Sequence, residues 1–231
     1  MKVGKMDFDI TRLIFMVPAL LFAVIIHELG HGIIAYRLGD PTPKVSGRLT
    51  FNPIPHIDPL GSIILPALLM LMKAPFIFGW AKPVPINPMN FKKLGYRKGM
   101  AVTAFAGPGI NFVAAVFFGV IYQFLSSQSV LVGIVSTFGE GFFRSIVYPI
   151  LIFLQYSVSI NVILAIFNLI PIPPLDGGRI LMSLLPPHLE HKLEPLEQWG
   201  FFIVIILLAV GALNFLIIPP YMFFTSILLG S

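Results

Sequence analysis

Residues 10–38 read ITRLIFMVPALLFAVIIHELGHGIIAYRL, and the fold turns on this stretch. A bilayer span needs about 20 mainly apolar residues. This run supplies them while carrying His27, Glu28 and His31 in its interior. On a helix, residues four apart share a face, so both imidazoles can grip one ion. Glu28 then stands beside that ion, placed to take a proton from a metal-bound water. Ionisable side chains inside a span are costly and default to function. Two histidines hydrogen-bonded in a metal-free bundle are the alternative that the residues alone leave open.

The rest of the chain agrees with a membrane setting. Of 231 residues, 57% are hydrophobic and 11% charged, against about 25% charged in soluble domains. Lipid must therefore be the solvent for much of the surface. With no cysteine, disulfides, Cys-ligated zinc and iron–sulfur clusters are excluded. The net charge of +5 is spread over loops between apolar runs. There it orients the chain against the membrane, and no nucleic-acid partner is expected. Lys2 and Lys5 precede the first run as in a signal peptide. No small-residue cleavage site follows, so the run reads as a retained span.

Further apolar runs cover 59–78, 100–125, 146–170 and 200–218, the last with an extension past Pro219-Pro220 to Leu229. The expectation is an all-α polytopic membrane protein, a helical bundle of about 5–6 membrane segments. It forms a single domain over 1–231, with a core at 10–185 and a C-terminal membrane segment at about 200–229. The polar pieces at 39–58, 79–99 and 186–199 are too short for an inserted domain, which needs roughly 80 residues. His188 and His191, among Glu190, Glu194 and Glu197, read as a solvated face. Asp40-Pro41-Thr42-Pro43, Asn52-Pro53-Ile54-Pro55 and Lys82-Pro83-Val84-Pro85 break helices and favour extended or turn backbone. Such backbone sits at membrane depth only where it lines a wet cavity, so these short loops are expected at a cavity rim.

A catalytic zinc site needs a third protein ligand and an open position. The acidic candidates are Asp7, Asp9, Asp40, Asp58, Glu140 and Asp176. Asp176 differs in ending an apolar run, after three prolines and before two glycines, in Asn168-Leu-Ile-Pro-Ile-Pro-Pro-Leu-Asp176-Gly-Gly-Arg. The prolines stop a helix and the glycines free the backbone, which presents a carboxylate at membrane depth. A plain interfacial turn with a solvated Asp is the competing reading.

His27-Glu-Leu-Gly-His31, followed far downstream by Asn-x-x-Pro-x-Pro-Pro-Leu-Asp-Gly, resembles the site-2 protease family of intramembrane zinc metalloproteases. Ala106-Gly107-Pro108-Gly109-Ile110-Asn111 is similar to the family's AGPxxN element. Gly39-Asp-Pro-Thr-Pro43, Asn52-Pro-Ile-Pro-His56-Ile-Asp-Pro-Leu-Gly61 and Gly79-Trp-Ala-Lys-Pro-Val-Pro85 resemble the small prokaryotic subgroup without a PDZ domain. The resemblance implies one zinc held by His27, His31 and Asp176, with Glu28 activating water. It implies cleavage of peptide bonds in single-pass membrane-protein or peptide substrates, within or beside a prokaryotic cell membrane. It also implies that Asn168 positions or stabilises the substrate carbonyl; a helix-bundle hydrogen bond is the competing role. Gly107 and Asn111 are expected to allow close helix approach and a cross-helix hydrogen bond. His56 reads as a transition-state donor, a transient fourth ligand, or a loop histidine facing water.

Ligands meeting at one depth place the chain near Leu38, Met100 and Asp176 on one side of the membrane. The 59–78 segment must then dip in and return as a re-entrant hairpin, a reading that Pro66, Lys73 and Pro75 fit. The positive-inside rule makes that side, and the active site near it, cytoplasmic, with the N-terminus outside. Simple alternation of spans matches the charges equally well, so the ligand geometry decides. A metal transporter and a catalytically silent scaffold are the competing functions; the first needs a continuous polar path, the second would not need the intact motif.

Overall fold

The computed structural model describes residues 10–72, 79–186 and 199–230. Lys2, Lys5, Asp7, Asp9, Lys73, Pro75 and the 188–197 stretch lie outside the described residues. Helix α1 runs Ile10–Leu38, about 43 Å at 1.5 Å per residue, ample for a hydrocarbon core of about 30 Å. A short turn of helix, α2, covers Thr42–Val45. A π-helical turn at Pro59–Ile64 leads into α3, Leu65–Leu71. Then come α4, Gly95–Ser126, and α5, Gln128–Phe142. A second π turn, Phe143–Val147, joins α5 to α6, Tyr148–Asn168. The chain ends with α7, Asp176–Leu184, α8, Trp199–Ala209, and α9, Asn214–Leu229. Among the described residues all regular structure is helical.

Among the described residues three helical stretches are long and apolar enough to cross a membrane: Leu13–Leu38, Gly95–Ser126 and Gln128–Asn168. The α8–α9 pair, bent by 73°, makes a fourth if it is one span. The expected five to six segments are therefore too many. The described part of the 59–78 run is short. Its π turn of six residues and α3 of seven reach about 20 Å at 1.5 Å per residue, short of a bilayer core. The chain also comes back on itself: Trp80 N donates to Gly61 O at 3.2 Å, and Ser62 Oγ donates to Trp80 O at 2.8 Å. In the last run the break falls at Gly211, where φ is +74°. Pro219 and Pro220, past which the run was expected to extend, lie inside α9.

Small residues set the helix packing. A Cβ on Gly30 would stand 2.7 Å from Ala106 O, so α1 and α4 touch through backbone. Ala115 of α4 and Val158, Val162 and Ile166 of α6 form a core that α9 covers with Tyr221, Phe224 and Leu228. Phe105, Val113, Phe117, Val120 and Phe124 of α4 are exposed, an apolar face that suits lipid rather than water.

The end of α1 meets the approach to α4, and the start of α4 meets the end of α7. Lys92 N and Lys93 N donate to Leu38 O at 2.9 and 3.2 Å, and Arg97 Nε donates to Ser183 O at 3.1 Å. Asp40, fully buried, ties the end of α1 to the 87–90 loop. Its carboxylate accepts from Thr42 Oγ1 at 2.6 Å, Asn87 N at 2.7 Å and Asn90 Nδ2 at 2.9 Å.

Candidate active site

His27 and His31 lie on adjacent turns of one α1 face, both buried. The Asn168–Asp176 connection brings a carboxylate to them. Helix α6 ends at Asn168, the prolines prevent its continuation, and α7 begins at Asp176 itself. A Cβ on Gly177 would overlap Leu169 O, so only glycine lets the new helix start so close to the end of the old one. Asp176 is 5% exposed, and its Oδ2 lies 3.1 Å from His27 Nε2 and 3.2 Å from His31 Nε2. The two Nε2 atoms are 3.1 Å apart. The expected ligand set thus converges, with all three ligand atoms within 4.8 Å of one another.

The tautomers follow from the partners of the other ring nitrogens. His31 Nδ1 lies 2.7 Å from Thr103 O, a carbonyl that only accepts, so Nδ1 carries the proton. His27 Nδ1 lies 2.6 Å from Asn111 Oδ1. Asn111 Nδ2 is turned away, donating to Ala23 O at 3.0 Å and Asn161 Oδ1 at 2.7 Å. Both Nε2 atoms therefore present lone pairs, to each other and to Asp176 Oδ2. That oxygen is buried and has no aligned hydrogen bond. Three acceptors converging in a low-dielectric site repel unless they share a cation. Two imidazoles and a carboxylate, each imidazole with an outer hydrogen-bond acceptor, form a donor set of catalytic zinc type.

Gly107 makes room for this group. A Cβ there would overlap His31 Nε2 and Cε1 and come within 2.8 Å of His27 Cε1. Asn111 makes the expected cross-helix bond, and its partner is a ligand histidine. Glu28, half-buried, lies between the two ligands, and its Oε2 accepts from Val84 N at 2.8 Å. The donor belongs to the Pro-rich 79–87 segment, in which three alternate N–H groups turn inward: Trp80 to Gly61 O, Lys82 to His56 O, Val84 to Glu28. That alternation is the pattern of an extended chain.

Two further expected residues hydrogen-bond to main-chain carbonyls. Asn168 Nδ2 donates to Leu164 O of its own helix at 3.0 Å. His56 is 2% exposed and does not face water, which removes the loop-histidine reading. Its Nε2 lies 3.1 Å from Thr50 O, its Nδ1 has no hydrogen bond, and its carbonyl accepts from Lys82 N at 2.9 Å. Asn161, Thr103 and the Val84 amide escaped the sequence reading. Only Asn161 carried a signal, as an amide inside the apolar α6.

The sequence model of peptidase family M50 matches residues 15–213. "Putative zinc metalloprotease YwhC" of Bacillus subtilis (strain 168) is 33% identical over 207 residues, which cover 89% of this chain and 84% of that protein. "Putative zinc metalloprotease Rip2" of Mycolicibacterium smegmatis is 30% identical over 201 residues, covering 87% and 69%. The protein of that name from Mycobacterium tuberculosis (strain H37Rv) is 26% identical over the same length and shares. No solved structure matches. With three membrane-length helices and a buried His–His–Asp group, the chain belongs to peptidase family M50, as a multi-pass prokaryotic membrane protein and a zinc metalloendopeptidase of the site-2 protease type.

Proposed function

We propose that this single-domain chain cleaves single-pass membrane proteins within or beside the bilayer, with His27, His31 and Asp176 holding one zinc and Glu28 as general base. The observation that carries the reading is the convergence of three acceptor atoms beside a carboxylate already fixed by one N–H. Zinc, when bound, supplies Lewis-acid polarisation of water and of the scissile carbonyl. Glu28, with Oε2 held by Val84, takes the proton of the attacking water and passes it to the departing nitrogen. Asn168 Nδ2 spends one proton on Leu164 O; the other donates to the developing oxyanion. The close approach of Gly177 to Leu169 supports that role, since it sets the neighbours of Asp176 and Asn168 side by side.

The 79–87 segment is the proposed substrate dock. Its inward edge is already paired. Its outward edge carries Pro83 and Pro85, which have carbonyls but no N–H. An unwound substrate strand would donate its N–H groups into those carbonyls by β-addition. His56 braces this segment from behind through Lys82 N. The Gly61–Trp80 contact supports a re-entrant 59–78 hairpin. The gathering of Arg37, Lys44, Lys92, Lys93 and Arg97 at the same end supports a cytoplasmic position for the site, with the N-terminus outside.

Single-turnover cleavage of a substrate helix, with zinc assayed on the same sample, tests the assignment. Glu28→Gln keeps zinc and loses cleavage. Asn168→Ala keeps zinc and loses about a hundred- to a thousand-fold in kcat. Near-normal turnover in Glu28→Gln would move the base elsewhere, and a loss within about threefold for Asn168→Ala, far below that range, would leave it as packing.

A further inference from the structure

Behind His27 a line of side-chain amides runs into the membrane interior. Asn111 and Asn161 are both 0% exposed, as is Ser157. Asn161 Nδ2 donates to Ser157 O at 2.8 Å, one turn back in α6. Asn161 Oδ1 accepts from Asn111 Nδ2 at 2.7 Å, and Asn111 Oδ1 faces His27 Nδ1 at 2.6 Å.

An amide can flip, exchanging its oxygen for its NH₂, and the flip here has chemical consequences. Turned over, Asn111 would present N–H to His27 Nδ1. That nitrogen would have to become the acceptor, the ring proton would move to Nε2, and the nitrogen facing the metal group would lose its lone pair. Two carbonyl-type oxygens oppose the flip: Ala23 O at 3.0 Å and Asn161 Oδ1 at 2.7 Å. The first is main chain and cannot change. The second keeps its polarity because Asn161 is itself anchored on the main-chain carbonyl of Ser157, which takes only a donor. An unpaired or mispaired amide at this depth has no water to turn to.

We propose that Asn161 is a positioning residue of the metal centre: through Asn111 it fixes the tautomer of His27 that leaves Nε2 free to bind metal. It touches neither metal nor substrate, and the proposal rests on His27 being a ligand. Outer hydrogen-bond partners of metal-binding histidines typically contribute about ten- to a hundred-fold in metal affinity.

The test is zinc affinity of the full chain in detergent, by competition with a chelator, with the melting temperature of the zinc-free protein measured alongside. Asn161→Leu keeps the volume and removes the acceptor; Asn161→Ala removes it while leaving space, and carries the test if leucine is not accommodated. Asn161→Asp retains an oxygen toward Asn111 and, in its neutral form, an O–H for Ser157 O. The expected result is zinc binding about ten- to a hundred-fold weaker in the Leu and Ala variants, and near wild type in the Asp variant. Two results would overturn the proposal. One is Leu and Ala variants that bind zinc like wild type, whatever their melting temperature. The other is an Asp variant as weak as they are. Wild type and His27→Ala are run together: equal zinc binding by those two would instead remove the ligand assignment itself.

Discussion

The main-chain N–H of Val84 donates to Glu28 Oε2 at 2.8 Å, joining residues 56 apart in sequence. The proposed base is thus oriented by the segment proposed to receive the substrate, so docking and proton transfer share one piece of backbone. Val84→Pro removes that donor between two residues that are already prolines. A hydrogen bond to a charged group is worth about 1.5–3 kcal/mol. Cleavage by Val84→Pro is therefore expected to fall by about ten- to a hundred-fold with zinc retained. Val84→Ala, which keeps the N–H, stays close to wild type. Comparable rates for the two variants would show that the bond does not orient the base.

Gly107 is occupied from outside by the ligand imidazoles. Gly107→Ala is expected to displace them and strip most of the zinc. Gly109→Ala, two residues on, meets the Phe105 ring at no less than 3.4 Å, an ordinary contact, and should keep it. Metal analysis of the two purified proteins decides; a fully loaded Gly107→Ala would mean that the imidazoles sit further from α4.

The re-entrant reading of 59–78 is open to cysteine labelling, since the chain has no cysteine of its own. Gly61 is unsuitable because a side chain there would overlap the Trp80 ring. Leu60, 56% exposed, and Gly79 are better sites. Single cysteines at the two positions should react with an impermeant reagent from the same side. Reaction from opposite sides would make the segment a span.

Asp40 links pH to stability. Burial alone would raise its pKa, but hydrogen bonds from Asn90, Thr42 and Asn87 outweigh it and hold the carboxyl below its ordinary value. A depressed native pKa stabilises fully above the unfolded value of about 3.9 and is lost as pH falls through the native one. Asp40→Asn is expected to melt lower than wild type at neutral pH. The gap should narrow as the pH drops below about 4. Thermal melts at several pH values check this; a gap independent of pH would assign the effect to shape rather than charge.

The His–His–Asp group was legible because its residues stand in local patterns, which the family resemblance joins into one set. A four-residue spacing inside an apolar run fixes His27 and His31 on one face, and Pro–Asp–Gly punctuation marks Asp176. The partners of Glu28 and His31 were not, because Val84 N and Thr103 O are main-chain atoms that any sequence could supply. Asn161 could be noticed but not placed: its partner Asn111 lies 50 residues away, across a helix pair whose register only packing sets. The span count failed for a related reason. Apolar length does not tell a straight helix from one broken at Gly211.

The central claim is that His27, His31 and Asp176 form one metal centre, and the zinc-to-protein ratio of purified Asp176→Ala tests it most directly. Wild type should carry about one zinc per chain, the usual content of a single catalytic site. The variant should carry little, with its melting behaviour showing that it remains folded. A folded Asp176→Ala that holds as much zinc as wild type would contradict the account and remove the aspartate from the ligand set.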